Sequence, residues 1–148
     1  MLIERSIEIA RPAEVIFEFV SDPRNDPIWC PKVCSVEPAA RQEGGPGARF
    51  EVLHKPIPLR PPRRMSHILV DWRPPREIRW REEEGDDVIL VTYTLAPTTA
   101  GRTRFTQHDD ARLSAPKPLQ TLMKIGIGAD IAKQLRSLRS HLEAGSAG

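Results

Sequence analysis

Ile9-Ala10-Arg11-Pro12-Ala13-Glu14-Val15-Ile16-Phe17-Glu18-Phe19-Val20-Ser21-Asp22-Pro23 holds the change of period that orders this chain. Upstream of it, Leu2–Ala10 alternates, with Ile3, Ile7 and Ile9 on one face and Glu4, Ser6 and Glu8 on the other, which predicts a strand. Arg5 falls among the apolar set and marks a strand end or a paired charge. From Pro12 the period becomes helical. Proline suits the first helical position, and Val15, Ile16, Phe19 and Val20 recur at helical spacing. Asp22-Pro23 stops that helix, because the residue before a proline avoids the α region. Asp22–Ile28 is then expected to form a second short helix or turn ahead of Trp29.

Downstream the chain reads as strands. Lys32–Ala39 is a candidate, Gly44-Gly45-Pro46-Gly47 marks a turn, and Ala48–His54 sets Phe50, Val52 and His54 on one face. Lys55–Pro62 holds four prolines in eight residues and cannot be a central strand, so it is expected to be an exposed loop or edge. Arg64–Arg73 and Glu77–Glu83 follow, the latter with Ile78 and Trp80 on one side, and Glu84-Gly85-Asp86-Asp87 is a hairpin signal. Val88–Ala96 and Thr103–Leu113 flank the turn at Pro97–Gly101. The chain closes on a helix from Lys117 to Leu142, where Met123, Ile127, Ile131, Leu135, Leu138 and Leu142 step by four or three. Strands with one apolar face plus one long amphipathic helix make an α+β layer pair.

At 148 residues the chain has the length of one domain and can bury a core without covalent staples. Residues 1–144 are expected to form it, with 145–148 a disordered tail. A hydrophobic fraction of 39% against 28% charged residues is globular usage. The 22 basic and 20 acidic residues leave a net charge of +2, so no strong field draws the chain to nucleic acid. The one basic cluster, Arg60-Pro61-Pro62-Arg63-Arg64, lacks interleaved aromatics, and no nucleic-acid partner is expected. The first ten residues carry Glu4, Arg5 and Glu8 and no apolar signal core, and no run is apolar enough to span a bilayer. A cytoplasmic protein without membrane insertion is expected. Cys30 and Cys34 would lie about 13 Å apart in extended chain, too far for a disulfide, and are read as reduced structural thiols. No further ligand stands at metal-binding spacing, so neither metal nor cofactor is expected.

The segments Ile9–Phe17, Ser21-Asp22-Pro23-Arg24-Asn25 through Trp29, Pro74-Pro75-Arg76-Glu77-Ile78, and Tyr93-Thr94-Leu95-Ala96-Pro97 followed by Gly101-Arg102-Thr103 resemble the START-like, Bet v 1-like (SRPBCC) superfamily. The resemblance is to its bacterial polyketide cyclase/dehydrase and lipid-transport group. One departure is Arg102, which separates the glycine and threonine that the family pattern joins. The resemblance implies an α+β helix-grip fold: a curved antiparallel sheet of about six or seven strands wrapped around the long C-terminal helix, with two short helices after the first strand. It also implies a cavity between sheet and helix for a small hydrophobic molecule such as a lipid, quinone or polyketide-like compound. Two alternatives stand beside binding or transport: a polyketide cyclase/dehydratase using polar cavity residues, and a co-chaperone-like interaction module. A homodimer is left open.

Strand alternation sorts the residues that could meet in such a gap. Phe105 marks an inner face that takes Gln107 and Asp109 with it, and Phe50 and Val52 bring His54 inward. Tyr93 is placed inside with Ile89, Val91 and Leu95, and Ile68, Val70 and Trp72 are preferred over Met65, His67 and Leu69 as the inner set of their strand. His54, Tyr93 and Asp109 are the catalytic candidates. His54 or Asp109 would act as general base toward an acidic C–H while Tyr93 holds an enolate oxygen. The plainer reading pairs Asp109 with an arginine such as Arg5 and leaves His54 a structural histidine. Trp29, Phe50, Trp80, Tyr93 and Phe105 could stack on a flat ligand, with Met123, Gly126 and Ile127 facing them from the helix.

Overall fold

The computed structural model describes residues 1–38 and 45–145. Seven strands form one antiparallel, open, curved sheet: β1 (Leu2–Ile9), β2 (Val33–Pro38), β3 (Arg49–His54), β4 (Arg63–Arg73), β5 (Glu77–Glu84), β6 (Asp87–Pro97) and β7 (Thr103–Arg112). Their order is β1-β7-β6-β5-β4-β3-β2, so β2 to β7 form a meander and β1 adds to its end. Between β1 and β2 lie α1 (Ala13–Val20), a 3-10 turn (Pro23–Asn25) and α2 (Asp26–Trp29). The closing helix α3 (Lys117–Ala144) has 28 residues and runs about 42 Å, packing along β1 and against α2. This is the α+β helix-grip layout expected from the sequence. Among the described residues no helix is long and apolar enough to cross a membrane. Residues 39–44 and 146–148, which include Ala39 at the end of the expected second strand, Gly44 of the expected turn and most of the expected tail, lie outside the described residues.

Local chemistry fixes the breaks. Pro12 caps α1 from an extended backbone, and the Asp22 carboxylate accepts from Arg24 N at 3.1 Å to start the 3-10 turn. The buried stripe of α1 is Ala13, Ile16, Phe17 and Val20, one position around from the expected set, and Phe19 instead stacks 5.0 Å from His141 of α3. Gly85, at φ 57°, turns the two-residue hairpin between Glu84 and Asp87 where an ordinary side chain would be strained.

The expectation for β4 is corrected. Met65 stands opposite Val52 and His67 opposite Phe50, and directly paired residues share a face, so Met65, His67 and Leu69 point inward. A bulge between Leu69 and Asp71 then adds one residue and reverses the alternation. Ile68 and Val70 therefore point out, while Trp72 comes round opposite the buried Ile78 and lies 6.5 Å from Phe17, still half exposed.

The core is not evenly filled. Ile131, Leu135, Leu138 and Leu142 on the second half of α3 are buried against the sheet near β1. Trp29, Tyr93 and Phe105 form a ring cluster there, with centroids 5.8, 6.3 and 5.3 Å apart. Fully burying one such side chain contributes about 3 kcal/mol. The first half of α3 stands off the sheet, and Leu119, Leu122 and Ile125 on it are exposed.

Candidate functional site

Where α3 stands off, a cavity of about 440 Å³ opens between its first half and β3 to β7. That is room for a small organic molecule. Val33 and Val52, Ile89 and Val91, and Ile127 and Ile131 make its apolar walls, while Pro56 and Ile57 of the β3–β4 loop stand at its rim.

Its polar groups come from inward positions on β3 to β7, joined by Asp26 of α2, Lys32 ahead of β2, and Asp130 and Gln134 of α3. On β5 the buried alternation Ile78, Trp80 continues into Glu82 and Glu84, which line the cavity although both are acids. His67 of β4 lies directly opposite Glu82, with Nε2 3.4 Å from Oε1 and no aligned hydrogen bond. Asp109 of β7 accepts from Gln107 Nε2 at 3.1 Å, and Gln107 Oε1 accepts from Gln134 Nε2 of α3 at 2.8 Å. This amide chain ties the helix to the sheet and anchors one oxygen of Asp109. Asp26 of α2 is buried at the same end. Nearer the rim, His54 Nε2 lies 3.3 Å from Glu84, whose other oxygen is 2.7 Å from Arg63 Nε, and Lys32 pairs with Asp130.

Burial governs the charge states. It pushes the Glu82 carboxyl from 4.5 up to about 7. Asp109 also rises to about 7, through burial and the neighbouring Glu82 carboxyl, with the Gln107 hydrogen bond working the other way. Asp26 is raised well above its usual range by burial and then by Glu82. His67 falls to about 4 because burial disfavours its cation. His54 is also lowered, by burial, with Glu84 opposing. The Tyr93 hydroxyl and the Cys30 thiol are both raised, burial being the main cause. Near neutral pH, Glu82 and Asp109 are thus poised between their protonated and ionised forms beside a neutral His67, in an apolar shell.

Of the residues singled out from sequence, Val52, His54, Tyr93, Gln107, Asp109, Met123 and Ile127 line the cavity. Trp29, Phe50, Trp80 and Phe105 do not: Trp29 and Phe105 belong to the core cluster, and Phe50 stacks edge-on against Trp80 at 5.9 Å. Large rings fill the closed part of the gap and leave it open only where aliphatic side chains face each other. Gly126 is exposed with nothing within 4 Å of where a Cβ would stand, so it makes no room for a ligand. Arg5 does not reach Asp109. Its guanidinium donates to the Glu4 carbonyl and lies over Gly128, explaining the glycine at that position. Sequence reasoning misses Asp26, His67, Glu82, Glu84 and Gln134. Glu82 and Glu84 are within its reach, since they extend the Ile78–Trp80 alternation by two further steps.

A family model described as polyketide cyclase / dehydrase and lipid transport matches residues 2–143. No curated protein sequence matches. Among solved structures, a protein of Thermus thermophilus superposes with a TM-score of 0.80 at 19% identity, covering 99% of each chain. A START superfamily protein of Mycobacterium smegmatis gives 0.79 at 18% identity over 97% of each chain. The Zhui aromatase/cyclase of a Streptomyces species gives 0.78 at 17% identity, over 97% of this chain and 93% of its own. At such identities the likeness is one of fold.

Proposed function

The chain belongs to the polyketide cyclase / dehydrase and lipid transport family, and on that premise we propose that it binds a small, largely apolar molecule in the cavity beneath α3. The polar end of the ligand sits against Glu82, Asp109 and Asp26, and its body lies along Val52, Val91 and Ile127. The observation that carries this reading is the join of an aliphatic-walled space of about 440 Å³ with a buried polar floor at one end. An apolar molecule with one hydrogen-bonding head matches both. Titration with the neutral dye Nile red, beside native mass spectrometry of the purified protein, tests it. The wild type is expected to bind and Val91→Trp, which fills the space, to bind at least about tenfold more weakly. Equal binding by both, or none by the wild type, would overturn the reading.

One observation favours a second reading, acid–base turnover of the cyclase/dehydratase kind. Glu82 and Asp109 both titrate at about 7, where a group can both give and take a proton, and Tyr93 shares their cavity. Asp109 or His54 would act as base and Tyr93 would hold the developing enolate oxygen. Once a substrate is in hand, turnover surviving in the combined His54→Ala, Tyr93→Phe, Asp109→Ala variant would sink these roles.

A further inference from the structure

We propose that the cavity selects a ligand whose head is a protonated amine on an apolar body, held by the carboxyls of Glu82, Asp109 and Asp26 beside the unpartnered His67 imidazole nitrogen. The proposal rests on the cavity being a ligand site and names the class it takes. Charge is the first support. Lys32 and Arg63 are the lysine and arginine that line the space, and both are engaged, with Asp130 and Glu84. Among the described residues no lysine or arginine stands within ion-pair distance of Asp26, Glu82 or Asp109. The Glu82 carboxyl acts on both Asp26 and Asp109 across the cavity floor. The second support is the imidazole beside Glu82, 3.4 Å away without an aligned hydrogen bond. His67 Nε2 is buried, lines the cavity and has no hydrogen-bond partner, its side chain being 8% exposed. The third is the direction of the amide donors. Gln134 donates to Gln107 and Gln107 to Asp109, so ordered N–H groups run along the wall. What remains facing inward is rich in acceptors, which suits an ammonium and repels a carboxylate.

A bound ammonium stabilises the ionised carboxylates that the apolar surroundings disfavour, so its uptake releases protons. The titratable groups lining the cavity with Glu82 and Asp109 are Asp26 and Cys30 on the α2 side, Lys32 before β2, His54 on β3, Arg63 and His67 on β4, Glu84 on β5, Asp87 and Tyr93 on β6 and Asp130 on α3, with His108 acting on Asp109 along β7. The cations Lys32 and Arg63 are held by Asp130 and Glu84, and burial keeps His67 neutral at pH 7.5.

Calorimetric titration at pH 7.5 with n-octylamine, n-octanol and n-octanoate distinguishes the head groups at constant tail. The amine is expected to bind at least about tenfold tighter than the alcohol, with octanoate weakest, and its heat to depend on the ionisation enthalpy of the buffer. In the wild type the amine-to-alcohol ratio is expected to fall as the pH is lowered to 5. Glu82→Gln and Asp109→Asn, once shown folded by circular dichroism, are each expected to reduce that ratio at least about fivefold. Alcohol binding as tight as amine, or a ratio indifferent to pH, would overturn the inference while leaving the ligand-site reading intact. Failure of all three probes on folded protein would overturn the inference and count against the site itself.

Discussion

Replacing Glu82 with glutamine should stabilise this protein at alkaline pH and leave it nearly unchanged at acid pH. The Glu82 carboxyl rises from 4.5 to about 7 on folding because burial disfavours its charge. Between these values the folded state holds a proton that the unfolded state has released, so stability falls as pH rises through the window and levels off above it. The full difference corresponds to about 3 kcal/mol. The side chain is 18% exposed, however, and solvent reaching the carboxyl trims this to about 2 kcal/mol. Glutamine keeps the shape without the charge and also removes one cause of the raised Asp109. Urea denaturation at pH 4 and pH 8 is the assay. Glu82→Gln should gain about 2 kcal/mol at pH 8, or about 4–8 °C in Tm, and differ from the wild type by less than about 0.5 kcal/mol at pH 4. A gain equal at both pH values, or a loss at pH 8, would refute the argument that a buried carboxyl without a cationic partner is what the fold tolerates here.

The neighbouring imidazole acts in the opposite direction. His67 falls from 6.5 to about 4, so its share of stability is complete above 6.5 and is lost as pH drops toward 4; a His67→Gln, Glu82→Gln double variant should melt with less acid sensitivity than Glu82→Gln alone. Gly126→Ala should raise stability by about 1 kcal/mol, the helix-propensity gain at an open, exposed position. Gly128→Ala should gain less in the same thermal melts, since its Cβ would stand 2.5 Å from Arg5 Nη2. Iodoacetamide at pH 8 should alkylate Cys34, which is exposed, and spare Cys30, which is buried with its thiol raised above 9.0; mass spectrometry should count one adduct in the native protein and two in urea.

Much of the fold is legible in the chain because each element carries its own period and its own stop. Ile3, Ile7 and Ile9 alternate, Pro12 and Asp22-Pro23 bracket α1, and the stripe from Met123 to Leu142 identifies α3 without any reference to what it packs against. The inward positions of β3, β6 and β7 are equally local: once Phe50, Val91 or Phe105 is inside, His54, Tyr93, Gln107 and Asp109 follow at steps of two. Such reasoning fails where the step is interrupted. The bulge at Leu69/Asp71 reverses the parity of β4 and no residue there announces it, so simple alternation puts His67 outside and Val70 inside, the reverse of their places in the fold.

The site itself is decided by distances between segments far apart in sequence. Aromatic rings attract attention in a sequence, yet Trp29, Phe105, Phe50 and Trp80 fill space because they meet one another, and a cavity persists only where aliphatic side chains face the lifted half of α3. Glu82 is an acid in a charged run, Arg81-Glu82-Glu83-Glu84, which by composition is a solvated edge. Only the pairing of β5 between β4 and β6, with α2 and α3 closing over it, turns that carboxyl inward beside His67 and Asp109. Period and punctuation are properties of neighbours along the chain, and the sequence determines them alone. Burial and charge state depend on what the folded chain brings near, and here they set the chemistry of the cavity.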